Sequence, residues 1–133
     1  MARILIIDDE EDVRIALKQV LERAGYEVSV AADGPEGLDL MKEEGADLVI
    51  TDVIMPGIDG IAAAKKIRDM YRDTRIIVMS GGGMIAPAPY EPDAISTRSY
   101  LASASRAGAD RTITKPFDRH ELLQVVQKLL EES

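Results

Sequence analysis

Short apolar runs that stop abruptly on an acid constrain this chain more than any other feature of its sequence. The run 3–7 ends on Asp8 and Asp9, and the run 47–51 ends on Asp52. An apolar strand that stops on an acid delivers that acid to one edge of a sheet. In open parallel α/β sheets, ligands bind at the edge formed by the carboxyl ends of the strands. The sequence therefore predicts three carboxylates at a ligand-binding edge.

The segments between the strands have the periodicity of amphipathic helices. Apolar residues recur at helical spacing in the stretches 13–24, 38–41, 61–70 and 122–130. Further strands are predicted over 26–31, 75–79 and 111–114. The run 75–79 is almost purely apolar, as expected where helices cover both faces of a sheet. The pattern is a repeated βα unit.

Glycine, proline and aspartate mark the predicted ends of the helices. Gly25 and Gly45 follow the first two helices as C-terminal stops. The Asp-Gly-Pro sequence at 33–35 predicts a turn before the second helix. Asp118, with Glu121 three residues later, predicts a capping box at the start of the last helix. These signals separate the helices from the strands.

Composition and charge exclude several classes of protein. A chain of 133 residues allows one ordinary domain, 1–133, which buries about two-thirds of its unfolded surface. The formal charge of −8 disfavours direct nucleic-acid binding. Cysteine is absent, which removes disulfides, thiolate metal sites and thiol catalysis. No signal peptide and no apolar stretch near the roughly 18 residues of a membrane span is present. The expectation is a cytoplasmic protein with no membrane partner.

Three carboxylates at one edge require a compensating charge. Adjacent carboxylates close to a third repel one another, and either a proton or a bound cation relieves the repulsion. Oxygen ligands with no histidine or cysteine nearby favour Mg²⁺, which keeps waters and phosphate oxygens among its ligands. The metal offsets the charge of a phosphoryl donor, so that an aspartate can attack phosphorus. The acids therefore predict Mg²⁺-dependent phosphoryl chemistry.

Five elements in chain order resemble those of the receiver domains of two-component response regulators. They are Asp8-Asp9, Asp52 followed by Met55-Pro56-Gly57 and Asp59-Gly60, Ser80-Gly81, Gly108-Ala109-Asp110, and Lys115-Pro116-Phe117. The resemblance covers essentially the whole chain. Because the sequence ends just after its last predicted helix, we expect a stand-alone receiver similar to chemotaxis regulators.

The resemblance implies a fold and a reaction. The fold is α/β and flavodoxin-like, a doubly wound sheet of five parallel strands in the order 2-1-3-4-5 with five helices. Asp52 would accept a phosphoryl group from a sensor histidine kinase or a histidine phosphotransfer protein. The chain would then be a signalling phosphoacceptor, with no enzyme activity beyond its own phosphorylation and dephosphorylation.

The resemblance also assigns Mg²⁺ ligands. Asp9 and Asp52 would bind the ion directly, together with the backbone carbonyl of Ile54. Asp8 would act mainly through water.

The remaining site residues follow the fourth and fifth strands. Ser80 would be the hydroxyl switch and Lys115 would pair with the phosphoryl oxygens. The peptide bond before Pro116 would be cis, a form that proline tolerates far better than other residues. Phosphorylation would switch a protein-interaction surface near residues 81–130. That surface would bind a downstream protein partner, which the sequence does not identify.

Two features depart from the family pattern. A Gly- and Pro-rich insertion at about 81–93 separates Ser80 from Lys115 by more residues than is usual, and a helix is predicted after it, from about 94 to 108. We expect this insertion to alter the choice of partner, although a long loop costs little in closure entropy and is also tolerated without function. Thr112 occupies the strand position where receivers commonly carry an aromatic switch residue.

Other functions remain open from the sequence. A receiver fold can serve as a phosphate sink, or as an interaction module that works without phosphorylation. A Mg²⁺-dependent phosphohydrolase of the haloacid dehalogenase type also forms an aspartyl phosphate. That class carries two aspartates spaced Asp-x-Asp on its first strand, whereas Asp8 and Asp9 are adjacent and Asp52 has no place in its scheme.

Overall fold

Five parallel strands form the single sheet of the described residues. The computed structural model describes residues 2–52, 60–80, 108–114 and 117–131. The strands are β1 (Arg3–Ile7), β2 (Glu27–Ala31), β3 (Leu48–Asp52), β4 (Arg75–Ser80) and β5 (Arg111–Thr114). They lie in the order β2-β1-β3-β4-β5, and every neighbouring pair is parallel. The predicted flavodoxin-like order is confirmed, and each predicted strand lies within one residue of its observed bounds.

Three of the described helices connect successive strands and a fourth follows β5, as the periodicity predicts. The described part of the chain contains α1 (Glu11–Arg23), α2 (Gly34–Glu43), α3 (Gly60–Met70) and α4 (Arg119–Glu131). The further helix predicted from about 94 to 108 and the insertion at 81–93 lie outside the described residues. Among the described helices, none has the length and apolar character needed to cross a lipid bilayer.

Each face of the sheet has its own buried core, because successive strand residues point to opposite faces. One core, the α1–α4 core, joins alternate strand residues to α1 and α4: Ile4, Ile6, Leu17, Leu21, Leu48, Ile50, Ile77, Met79, Ile113, Leu122, Val126 and Leu129. The other, the α2–α3 core, joins the intervening strand residues to α2 and α3: Leu5, Ile7, Ala31, Met41, Val49, Ala64, Ile67, Ile76 and Val78. The middle portions of the central strands, 4–7, 48–50 and 76–79, are therefore apolar throughout.

Local signals place the helix ends, with one correction. Gly25 has a φ of +99°, a left-handed conformation that ends α1 without the steric cost of a Cβ. Asp118 precedes α4 and its Oδ1 accepts the His120 N–H at 2.9 Å, so its capping role is confirmed. The turn predicted at 33–35 is wrong in its extent, since α2 begins at Gly34. Asp33 caps α2 by accepting the Glu36 N–H at 2.9 Å, and a proline in the first helical turn needs no N–H.

An ion-pair cluster joins α3, β4 and β5 at the amino edge of the sheet. Arg68 Nη2 donates to Asp110 Oδ2 at 2.7 Å, and the same oxygen accepts the Ile76 N–H at 2.8 Å. Arg68 Nε and Nη2 also donate to the Gly108 carbonyl, at 3.2 and 3.1 Å. Arg75 Nη1 lies 3.6 Å from Asp110 Oδ1. These contacts hold the start of β5 beside β4.

Candidate acidic site at the carboxyl edge of the sheet

The sheet order brings the two acidic strand ends together. β1 and β3 are neighbours, and their register pairs Ile7 with Thr51. Asp8 follows Ile7 and Asp52 follows Thr51, and the strands are parallel, so the two acids lie side by side. The chain turns from β1 toward β2 on one side and from β3 toward β4 on the other, so this is the topological switch point of the sheet. Ligands of doubly wound folds bind at that point.

Asp8 is held in place by its neighbours on three sides. Its N–H donates to the Ala31 carbonyl at 3.0 Å, which extends the pairing of β1 with β2. Its carboxylate Oδ1 accepts the Glu10 N–H at 2.8 Å, and its carbonyl accepts a hydrogen bond from Arg14 Nη1 at 2.7 Å. The residue is 1% exposed. Asp8 is therefore a fixed element of the site rather than a mobile surface acid.

Asp52 lies at the centre of the sheet, between two strands. It is the last residue of β3, pairs with Met79 of β4, and is 4% exposed. The preceding residue, Thr51, is fully buried and donates its hydroxyl to the Asp52 carbonyl at 3.2 Å. The backbone of Asp52 is therefore held by its pairing with β4.

Four carboxylates converge at this edge. One carboxylate oxygen from each of Asp8, Asp9, Glu10 and Asp52 lies within 4.8 Å of the others. Asp8 and Asp52 are buried, while Asp9 and Glu10 are exposed at the mouth of the site. The donor set consists of oxygen alone, the only histidine being His120 in α4, and Mg²⁺ prefers such a set. The residues present therefore fit the predicted metal.

Glu10 is the member of the cluster that sequence reasoning missed. The sequence alone indicates only that an acid there favours the start of α1 through the helix dipole. In the structure Glu10 is the residue before α1 and its carboxylate joins the cluster. A signal was available, since Asp8 to Asp12 is an uninterrupted run of five acids.

The other predicted site residues lie at or beyond the described segments. Ser80 is the last residue of β4 and pairs with Thr114, the last residue of β5. Lys115 and Pro116 follow Thr114 in sequence and, with Ile54, lie outside the described residues. The structure thus brings Asp8, Asp9 and Asp52 together, and the roles of all the predicted site residues stay predictions.

A covered parallel sheet with this strand order and a cluster of carboxylates at its switch point defines a class of protein, the CheY-like receiver. The family profile described as the response regulator receiver domain matches residues 4–89. The chain therefore belongs to the response regulator receiver domain family. Receiver domains act as signalling phosphoacceptors in two-component phosphorelay systems, and they generally bind Mg²⁺. Response regulators receive phosphate from histidine kinases or phosphotransfer proteins.

Relatives of the chain include two Bacillus subtilis proteins of similar length. Sporulation initiation phosphotransferase F is 35% identical over 128 residues, which cover 96% of this chain and 93% of that protein. Chemotaxis protein CheY is 35% identical over 129 residues, which cover 96% of this chain and 97% of that protein. The chain spans only 50% of the length of response regulator MprA from Mycolicibacterium vanbaalenii, to which it is 36% identical.

Solved structures show the same fold. The crystal structure of a CheY-like response regulator receiver domain protein from Methanospirillum hungatei superposes with a TM-score of 0.85. The two sequences are 29% identical, and the superposition covers 99% of this chain and 95% of the other.

Proposed function

We propose that Asp52 accepts a phosphoryl group from a sensor histidine kinase or a histidine phosphotransfer protein, in a reaction that requires Mg²⁺. The observation that supports this most directly is the cluster of four carboxylates within 4.8 Å, in which Asp52 is buried. A carboxylate oxygen of Asp52 attacks phosphorus and the donor group leaves. Mg²⁺, when held by the cluster, would offset the negative charge of the incoming phosphoryl group.

The acids have different roles toward the metal. Asp9 and Asp52 hold the metal directly, with the Ile54 carbonyl as a third ligand. Asp8, whose Oδ1 already accepts the Glu10 N–H, acts mainly through water. The exposed position of Asp9 leaves it accessible to an ion arriving from solvent.

Readout of the phosphorylated state belongs to the later part of the chain. In this proposal Ser80 is the hydroxyl switch, Lys115 pairs with the phosphoryl oxygens, and Pro116 follows a cis peptide bond. The signal reaches an interaction surface near residues 81–130 in a single receiver domain, 1–133. The insertion at 81–93 modifies that surface, and the family match, which ends at residue 89, is consistent with an atypical segment there.

Intact mass tests the chemistry. With acetyl phosphate and Mg²⁺, the chain should gain about 80 Da, the mass of one phosphoryl group, as acetate is released. Asp52→Asn keeps the shape of the buried side chain and should show no gain. Asp39→Asn, which changes an exposed acid on α2, is the matched control and should react like the parent chain. An equal gain by Asp52→Asn would rule out Asp52 as the acceptor.

The similarity to sporulation initiation phosphotransferase F supports a variant of this function. A phosphorylated chain that passes its phosphoryl group back to a histidine protein would be a relay intermediate or a phosphate sink. Mixing the phosphorylated protein with histidine phosphotransfer proteins distinguishes these roles from a switch, because only a relay or sink discharges Asp52 onto histidine.

A further inference from the structure

The side chain of Arg14 extends from α1 to the backbone of the acidic site. It lies in the first turns of α1, close to Glu11 and Asp12. Acids there complement the positive N-terminal end of the helix dipole, whereas a cation opposes it. Arg14 is partly buried, and its Nη1 donates at 2.7 Å to the carbonyl oxygen of Asp8. The guanidinium is therefore directed to the acidic site.

The carbonyl that Arg14 binds belongs to the peptide between Asp8 and Asp9. The N–H of Asp8 is held by Ala31 and its carboxylate by the Glu10 N–H. The Arg14 contact fixes the third polar group of Asp8, its carbonyl, and with it the plane of the peptide that leads into Asp9. Since that plane sets the direction in which the Asp9 side chain leaves the backbone, Arg14 controls how the two acids converge.

Two physical effects of Arg14 on a bound cation have opposite signs. Its positive charge beside the cluster repels a cation, so by charge alone its removal should tighten metal binding. Its hydrogen bond orients groups that hold the metal, so by positioning its removal should weaken metal binding. The sign of the change in affinity separates the two effects.

We propose that Arg14 is a positioning residue for the Mg²⁺ site, acting through the Asp8 carbonyl to orient Asp9. The inference rests on the proposed function only in taking Mg²⁺ as the ion bound by Asp8, Asp9 and Asp52. Groups that orient metal ligands typically contribute 10- to 100-fold in affinity. Positioning thus outweighs the repulsion from a single, partly screened charge.

Calorimetric titration with Mg²⁺ alone, without a phosphoryl donor, tests the proposal. Arg14→Gln should bind Mg²⁺ about tenfold more weakly than the parent chain. Lys18→Gln removes the same charge one turn farther along α1 and should bind at least as tightly as the parent. Arg14→Gln binding as tightly as the parent, or more tightly, would overturn the proposal.

A comparison of ions separates positioning from general loss of structure. Mg²⁺ demands near-ideal octahedral geometry, whereas Ca²⁺ accepts flexible coordination. Arg14→Gln should therefore lose more affinity for Mg²⁺ than for Ca²⁺, and an equal loss for both ions would contradict the proposal. Arg14→Lys keeps the charge without the planar fork and should show the same selective loss. Far-UV circular dichroism confirms that each variant is folded.

The outcomes also distinguish this inference from the proposed function. A parent chain that binds Mg²⁺ and is phosphorylated at Asp52, with Arg14→Gln unchanged in affinity, refutes the role of Arg14 alone. A parent chain that binds no Mg²⁺ refutes both.

Discussion

At the scale of single residues, Asp9 and Asp12 are exposed acids three positions apart whose removal should have opposite effects on stability. Asp9 lies in the carboxylate cluster, where like charges repel. Asp12 lies in the first turn of α1, where a negative charge is favourable. Without divalent cations, Asp9→Asn should raise the midpoint of thermal unfolding by about 3 °C. Asp12→Asn should lower it slightly. Scanning calorimetry in the presence of a chelator measures both.

Salt and magnesium provide the controls for this pair. Sodium chloride screens charges and should reduce both changes. Saturating Mg²⁺ should stabilise the parent chain and Asp12→Asn, because an ion that binds only the folded state raises the free energy of unfolding. The free energy of unfolding of the Asp9→Asn variant should rise much less when Mg²⁺ is added. A midpoint that falls on Asp9→Asn substitution in the absence of metal would show that the cluster is not under electrostatic strain.

At the scale of elements, Gly37 permits α2 to approach β1 closely. A Cβ at position 37 would lie 2.7 Å from Ile7 Cγ1, and Ile7 is fully buried. Alanine favours helices over glycine by about 1 kcal/mol, but crowding in a packed core typically costs 1–3 kcal/mol. Gly37→Ala should therefore lower the free energy of unfolding by roughly 1 kcal/mol. Urea denaturation measures this change.

A double-mutant cycle with Ile7→Val assigns the cost to that contact. Ile7→Val alone removes one methyl group and should cost about 1 kcal/mol. In the Ile7→Val background the penalty of Gly37→Ala should be smaller by about 0.5 kcal/mol or more, since residues in contact are not additive. Strictly additive effects would place the origin of the Gly37→Ala penalty elsewhere.

The same elements show what could be predicted from the sequence. Strands and helices were predictable because apolar periodicity is strong and the glycine stops are local signals. Asp8, Asp9 and Asp52 were predictable because strand ends in a parallel sheet share an edge. The Arg14 contact was not, since it depends on the angle at which α1 leaves β1. The run of acids from Asp8 to Asp12 indicates further carboxylates near the site, but it does not single out Glu10. The start of α2 was misplaced because Asp-Gly-Pro suits a turn as well as a capped first helical turn.

At the scale of the whole molecule, two cores share one sheet. Neighbouring residues of β1, such as Ile4 and Leu5, belong to opposite cores. Loss of either core exposes strands that the other core needs, so the described parts of the chain should unfold in one transition. Tyr26 packs against the α1–α4 core and Tyr71 against the α2–α3 core. Each face therefore contains its own natural probe.

Fluorine NMR of protein labelled with 3-fluorotyrosine can follow both faces at once. The chain has four tyrosines, and Tyr26→Phe and Tyr71→Phe identify which of the four signals report on the two cores. Leu17→Ala truncates a fully buried side chain of the α1–α4 core and should cost about 3 kcal/mol. The urea midpoint should fall by roughly 1–2 M. Because the strands are shared, the urea midpoint reported by Tyr71 should fall as far as the one reported by Tyr26. The two signals should therefore give one common midpoint. If Tyr26 lost its native signal at lower urea than Tyr71, the two faces would be independent folding units.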